Sequence, residues 1–269
     1  MNDFRVLVDE MKIRGYSRKT IERYLYINSK FLDFAGKSPK DVNKSDIERY
    51  LIRLYDLNKS SATRHLVCAT LKFYYEAVLK RRFGLKYPKK ASKLAVVLAK
   101  EEILGMIGAT KSQKHRLLLM LMYGSGLRLG EAIRAKIEDF DIKRKAFHVK
   151  SGKGSKDRIA NLSERFIENF AAFINGRSSG YLFESAQNYG RHISSRTAQK
   201  IVKNALRKAG ISKKAHCHTL RTSYATHLIE NGIDISYVQK LLGHSSLKTT
   251  QAYLRLSANS VSSVKSPLD

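Results

Sequence analysis

The sequence predicts a mainly helical protein of two domains, with one small antiparallel β-sheet in the second. Three observations carry this. Apolar residues recur at helical spacing through most of the 269 residues. Only Pro39, Pro88 and Pro267 interrupt helix formation. Strand-like alternation is confined to the stretch between Phe140 and Leu162.

The elements follow in order. Phe4 to Arg14 has a weak helical pattern. Ser17 is a good N-cap for a helix over 17–36, whose stripe runs through Ile21, Tyr24, Leu25, Ile27, Phe31, Leu32 and Phe34. Asp46 to Leu54 and Ser61 to Arg82 give two more helices. No strand signal precedes residue 95, so residues 1–84 read as a small helical domain. Phe83 to Leu94 contains Gly84 and Pro88 and no acidic residue. It reads as a basic linker, placed over 85–96, before a second domain over 97–269. A helix starts at Lys100-Glu101-Glu102. Leu117 to Tyr123 reads as a buried helix ended by Gly124-Ser125-Gly126, with another starting near Arg128. Phe140 to Ile142 is a short strand. Ala146–Lys150 and Asp157–Leu162 flank Ser151-Gly152-Lys153-Gly154-Ser155 as a hairpin. Helices follow over 163–175, 194–209, 218–231, 234–242 and 246–256.

Charge narrows the function. Lys plus Arg is 51 against 23 acidic residues, a net charge of +28. The excess is spread: +11 over residues 1–90 and +17 over 91–269. A folded chain this basic throughout repels itself unless its partner is a polyanion. Nucleic acid is the leading candidate; an anionic membrane surface and a cationic surface kept for solubility are the rivals. Cys68 and Cys217 cannot build a disulfide framework or a four-cysteine zinc site. The start of the chain lacks a basic then apolar run, and no apolar run approaches the ~20 residues of a membrane span. The expectation is a soluble, cytoplasmic protein.

Familiar hydrolytic sets fail. Acidic residues are too scattered for a two-metal nuclease. Gly152-Lys153-Gly154 lacks the upstream Gly and the following Ser or Thr of a phosphate loop. His216, Cys217 and His218 are sequence neighbours that point in different directions on a helix, so no metal is expected. What remains is cationic: Arg128 three residues before Glu131, His218 three before Arg221, His244 after Gly243, Lys153 at a hairpin tip, and Tyr253. Singly, each reads as an ion pair, a helix cap, a core-edge aromatic or a solvated lysine. Together they suit metal-free attack on a phosphodiester. Two guanidiniums can hold the non-bridging oxygens. A tyrosine hydroxyl needs nearby cations and a proton acceptor. A lysine can protonate the leaving oxygen.

The stretches Gly124-Ser125-Gly126-Leu127-Arg128-Leu129-Gly130-Glu131, Ser151 to Arg158, His218 to Leu228, and Leu241-Leu242-Gly243-His244-Ser245-Ser246 continuing to Tyr253 resemble the tyrosine recombinases. The likeness is strongest to compact Xer-type enzymes of the archaeal kind. It runs over nearly the whole chain, more loosely in the N-terminal half through Gly15 to Thr20 and Ser61 to Arg64. The gaps from His218 of 3 to Arg221, 23 on to His244 and 9 on to Tyr253 fit jointly.

The resemblance implies a helical SAM-like core-binding domain followed by an α/β catalytic domain. It implies Tyr253 as nucleophile forming a 3′-phosphotyrosyl link, and Arg128 and Arg221 as phosphate clamp. It further implies Lys153 as general acid, His218 assisting proton transfer, His244 on a phosphate oxygen, and Glu131 in support. Neither metal nor ATP is implied. The partner is double-stranded DNA, with a homotetramer on paired sites. Candidate DNA contacts are Arg18, Lys19, Arg23, Arg64 and Lys72 in the first domain, and Lys156, Arg158 and Lys200 in the second. Departures are Thr222 where many members have His, Ala95 where a Pro often opens the catalytic domain, and Tyr224 for a frequent Phe. The Ser-rich tail over 257–269 acts in cis, in trans, or not at all. Chromosome-dimer resolution at a dif-like site is the expected role. The alternatives are a mobile-element integrase, a topoisomerase IB-like relaxing enzyme and a catalytically silent DNA binder.

Overall fold

The computed structural model describes residues 4–89, 95–150, 157–244, 250, 251 and 253. The chain divides into two compact units, Met1–Lys93 and Leu94–Asp269.

The first unit is α1 (Arg5–Ile13), α2 (Arg18–Ala35), α3 (Lys44–Asp56) and α4 (Ser61–Lys72). Ser17 and Ser60 cap α2 and α4 by accepting the Thr20 and Thr63 N–H groups. Asn43 and Asp46 form a reciprocal capping box on α3. Leu7, Met11, Phe31, Ile47, Leu71 and Tyr75 fill the core.

The helix expected over Ser61 to Arg82 is shorter than that. α4 gives way at Phe73 to a π-helical turn, Phe73–Val78. Tyr74 and Tyr75 are both buried there. The start of the expected linker also belongs to the first unit. Leu85 is buried in its core, and Tyr87 stacks on His65 with ring centroids 4.7 Å apart.

The second unit comprises α5 (Lys100–Gly108), α6 (Gln113–Gly124), the single-turn α7 (Leu129–Ile133), β1 (Phe140–Asp141), β2 (Ala146–Val149), β3 (Arg158–Asn161), α8 (Glu164–Ile174), α9 (Ser195–Lys208), α10 (Cys217–Glu230) and α11 (Ile235–Leu242). The strands form one antiparallel sheet in the order β1-β2-β3, with Phe147 opposite both Phe140 and Ala160. Ser112, Ser163 and Ser194 cap α6, α8 and α9. α6 is buried along Leu117–Met122 and forms the centre of the core. Thr250, Gln251 and Tyr253 are helical; the rest of the helix expected over 246–256, and the tail over 257–269, lie outside the described residues. Among the described residues no helix is long and apolar enough to cross a membrane.

Candidate active site

The site is assembled around the C-terminal end of α11. That helix stops at Gly243, which adopts the left-handed conformation (φ 63°). Its last carbonyls lack intrahelical donors and carry the negative end of the helix dipole. Three arginines take them in succession. Arg158 Nε donates to the Leu241 carbonyl at 2.8 Å. Arg221 Nη2 donates to the Leu242 carbonyl at 2.7 Å. Arg128 Nη2 reaches the Gly243 carbonyl at 3.5 Å.

Glu131 ties the same arginines together from the other side. Arg128 caps α7, its own N–H donating to Glu131 Oε2 and its Nη1 to Oε1, both at 2.8 Å. Arg158 Nη2 donates to Oε2 at 3.0 Å. Arg221 Nη1 lies 3.8 Å from the same oxygen. Burial raises the Glu131 pKa, but Arg158 and then Arg128 outweigh it, and the carboxyl is held below its ordinary range. It is ionised at neutral pH.

The arginines differ in access. The Arg128 side chain is 43% exposed, whereas Arg221 is 1% exposed. Arg221 Nη1 also donates to the Gly126 carbonyl at 2.7 Å, and its Nη2 donates to His244 Nε2 at 2.9 Å. Desolvation, then the Arg128 charge, lowers the Arg221 pKa to about 10.

His244 is therefore neutral here. Its Nε2 accepts from a guanidinium, so its proton sits on Nδ1 and is given to Thr250 Oγ1 at 2.9 Å. Burial first, then Arg221 and Arg128, push its pKa down to about 4. His218, one turn before Arg221 on α10, is also lowered, again mainly by burial and then by Arg221. Tyr253 is 6% exposed, packed with Tyr224, Ala225, Val238 and Leu242. Its ring lies 6.0 Å from that of His244, inclined by 27°. The structure thus brings Arg128, Glu131, Arg221, His244 and Tyr253 together. Lys153 and Lys156 lie outside the described residues.

Beside this cluster is a cavity of about 750 Å³, lined in part by Leu127, Arg128, Gln199, Lys203, Cys217 and His218. Cys217 is buried against it, and burial raises its thiol pKa to about 11. His216 Nδ1 accepts the Thr219 N–H, capping α10.

One expected DNA contact, Arg158, lies inside the site. The Arg158 side chain is 7% exposed, and its hydrogen bonds run inward to Glu131 and Leu241. The other described candidates lie at or near the surface. Lys19 and Lys200 are exposed, Arg18 pairs with Glu22, and Arg23 lies over the Tyr26 ring. Lys72 lies 3.7 Å from Glu76 and over the Tyr87 ring. Arg64 is half-buried over Tyr55, with centroid distance 4.7 Å. Sequence reasoning missed Thr250 and Asn161. Asn161 Oδ1 accepts from Tyr224 Oη at 2.9 Å, which gives the unusual tyrosine at 224 a hydrogen-bonding partner.

Residues 96–260 match the family model for the phage integrase family, and residues 4–85 the model for the phage integrase N-terminal SAM-like domain. The chain belongs to the phage integrase family of tyrosine recombinases. The tyrosine recombinase XerA of Pyrococcus furiosus is 37% identical over 255 residues, covering 92% of this chain and 87% of that protein. A putative integrase/recombinase of Sinorhizobium fredii is 33% identical over 267 residues, 97% of this chain and 86% of its own. Among solved structures, a XerA recombinase matches with TM-score 0.58 at 29% identity, over 96% of this chain and 95% of that one. The XerH recombinase bound to palindromic difH substrate shares the fold, with TM-score 0.75 at 23% identity over 93% of this chain and 80% of that one.

Proposed function

We propose that this chain is a site-specific recombinase that cuts and rejoins double-stranded DNA, with Tyr253 as the nucleophile. The observation that supports this most is the convergence of Arg128, Arg221, His244 and Tyr253 on one helix end, with the ionised Glu131 between the two arginines. A phosphodiester placed there meets two guanidiniums, which offset the charge that develops as phosphorus becomes five-coordinate. Tyr253 Oη bonds the phosphorus and the bond to the 5′ oxygen breaks. The phenol proton passes to His218, whose lowered pKa keeps it neutral and able to accept it. Lys153 gives a proton to the leaving 5′ oxygen. The products are a 3′-phosphotyrosyl link and a 5′-hydroxyl, and reversal on a new 5′-hydroxyl completes exchange. One phosphodiester is conserved throughout, so this chemistry needs neither ATP nor metal.

The described site is closed on itself: both Arg221 terminal nitrogens are engaged with carbonyls and with His244. In this reading the phosphate replaces some of those partners. His244, once released from Arg221, can turn a donor toward a phosphate oxygen.

The likeness to XerA favours chromosome-dimer resolution at a dif-like site, by a homotetramer on paired sites in the cytoplasm. The match over 97% of the chain to a putative integrase/recombinase favours a second reading, a mobile-element recombinase of the same chemistry.

Covalent trapping separates these. The protein is incubated with sheared chromosomal DNA from its source, quenched with detergent, and the protein-bound fragments are sequenced. Tyr253→Phe runs in parallel. One inverted-repeat locus, enriched by the wild type and lost in the variant, is the expected result. If that locus is a single chromosomal site, the first reading holds; if it borders a mobile element, the second. Broad enrichment lost in the variant indicates a relaxing enzyme. Enrichment that survives Tyr253→Phe removes Tyr253 as nucleophile. Binding with no covalent product leaves a silent DNA binder.

A further inference from the structure

Arg158 opens β3 and stands outside the set of residues assigned above to the phosphate. Its side chain crosses from the sheet to two other elements. Nη2 meets Glu131 Oε2 at 3.0 Å, and Nε meets the Leu241 carbonyl at 2.8 Å. Glu131 holds Arg128, and the next carbonyl after Leu241 holds Arg221. Two residues beyond Leu242 lies His244. The stem of Arg158 runs so close under Gly243 that a Cβ there would sit 2.7 Å from its Cδ. The left-handed glycine that ends α11 thus also makes room for this arginine.

We propose that Arg158 is a positioning residue for strand transfer. It fixes Glu131 and the end of α11 in one mutual placement, so that Arg128, Arg221 and His244 meet the same phosphate, and it does not itself touch DNA. This rests on the recombinase reading. The planar guanidinium meets the two partners with two different nitrogens held at a fixed spacing. A lysine in its place offers its three donors from one nitrogen, which cannot reproduce that spacing. Reacting groups displaced by about an ångström lose on the order of 10²-fold in rate.

The test uses the full chain and a nicked duplex built on the sequence recovered by trapping. Arg158→Met, Arg158→Lys, Glu131→Gln and the double variant Arg158→Met/Glu131→Gln are compared with wild type. Single-turnover formation of the covalent complex, DNA affinity across salt concentrations and thermal unfolding are measured. Arg158→Met is expected to slow cleavage by about 10²-fold, with affinity and its salt slope unchanged. Arg158→Lys recovers part of the rate. In the Glu131→Gln background, Arg158→Met costs far less than it does alone, because the two act as one unit. A duplex with sulfur at the 5′ bridging position needs no proton on its leaving group, and it leaves the Arg158→Met defect in place.

Four results overturn the proposal while leaving the recombinase reading in place. Cleavage by Arg158→Met is unchanged. The salt slope falls by about one, the mark of a direct phosphate contact. The losses in the double variant simply add. The sulfur substrate restores the rate, which assigns Arg158 to leaving-group protonation. If Arg158→Met loses its unfolding transition, Arg158→Lys and the sulfur substrate decide. A wild type that forms no covalent complex removes the recombinase reading and this proposal with it. That outcome is distinct from wild-type cleavage matched by Arg158→Met.

Discussion

Tyr224 lies across Gly126: a Cβ added to the glycine would sit 2.4 Å from Tyr224 Cδ1. Gly126 also adopts φ 57°, and its carbonyl accepts from the buried Arg221. One residue thus provides a turn after α6, a passage for an aromatic ring and a partner for a site arginine.

Gly126→Ala is accordingly expected to cost more than left-handed strain alone. Gly210→Ala is the reference, since Gly210 has φ 68° and a Cβ there would meet nothing within 4 Å. Strain at either site is about 1–2 kcal/mol. The clash with Tyr224 adds about 1–3 kcal/mol at Gly126. Urea unfolding measures both, and in a Tyr224→Ala background the excess should shrink, leaving only the approach to Leu242 Cδ2 at 3.1 Å.

Arg221 is expected to matter for folding as well as for chemistry. Arg221→Met leaves the Gly126 and Leu242 carbonyls without this donor and removes one positive neighbour of Glu131. Breaking such a buried arrangement costs about 3–5 kcal/mol. Calorimetry should show the second unit melting well below that of Tyr253→Phe. Equal melting temperatures would show that the buried arginine contributes nothing to stability.

His244 makes the second unit sensitive to mild acid. Its pKa, about 4 when folded, lies below the ordinary 6.5. The unfolded chain therefore binds the extra proton first, and stability falls as pH drops from about 6.5 toward 4. His218 is shifted in the same direction. His244→Asn should be less stable than wild type at pH 7.5, and the gap should narrow by pH 5. A gap independent of pH would refute the neutral, Arg221-bonded His244.

Asp46 gives the first unit a titration of the same sign, at lower pH. Lys37 at 2.8 Å, the Asn43 N–H and Arg49 at 2.5 Å hold its buried carboxylate. The hydrogen bond from Lys37 is the main cause of a pKa near 2, against an ordinary 3.8. The stability it contributes is present above about pH 4 and is lost as pH falls toward 2. Asp46→Asn should lower the melting temperature of this unit at pH 7 and converge on wild type near pH 2.

Helix starts were legible because capping is local. Ser17 and the pattern after it place α2 to within a residue, and Gly124-Ser125-Gly126 marks the end of α6. The pairing of Arg128 with Glu131 follows from three-residue spacing at a helix start. The end of α4 was not legible, because burial of both Tyr74 and Tyr75 depends on what packs against them. The inward course of Arg158 was not legible for a related reason: in sequence, a basic residue after a glycine-rich hairpin is indistinguishable from a surface cation.

The sequence by itself determined the helical class, the confined hairpin, the basic character and the order of Arg128, His218, Arg221, His244 and Tyr253. Each of these rests on composition, on a short period or on residues a turn apart. Only the tertiary structure decided that Arg158 is internal, that Arg221 is sealed, and that Leu241, Leu242 and Gly243 each meet a different arginine. Those contacts join residues separated by 83, 21 and 115 positions. No local pattern encodes which distant carbonyl a guanidinium will find. That choice is made when the core closes and most buried donors find partners.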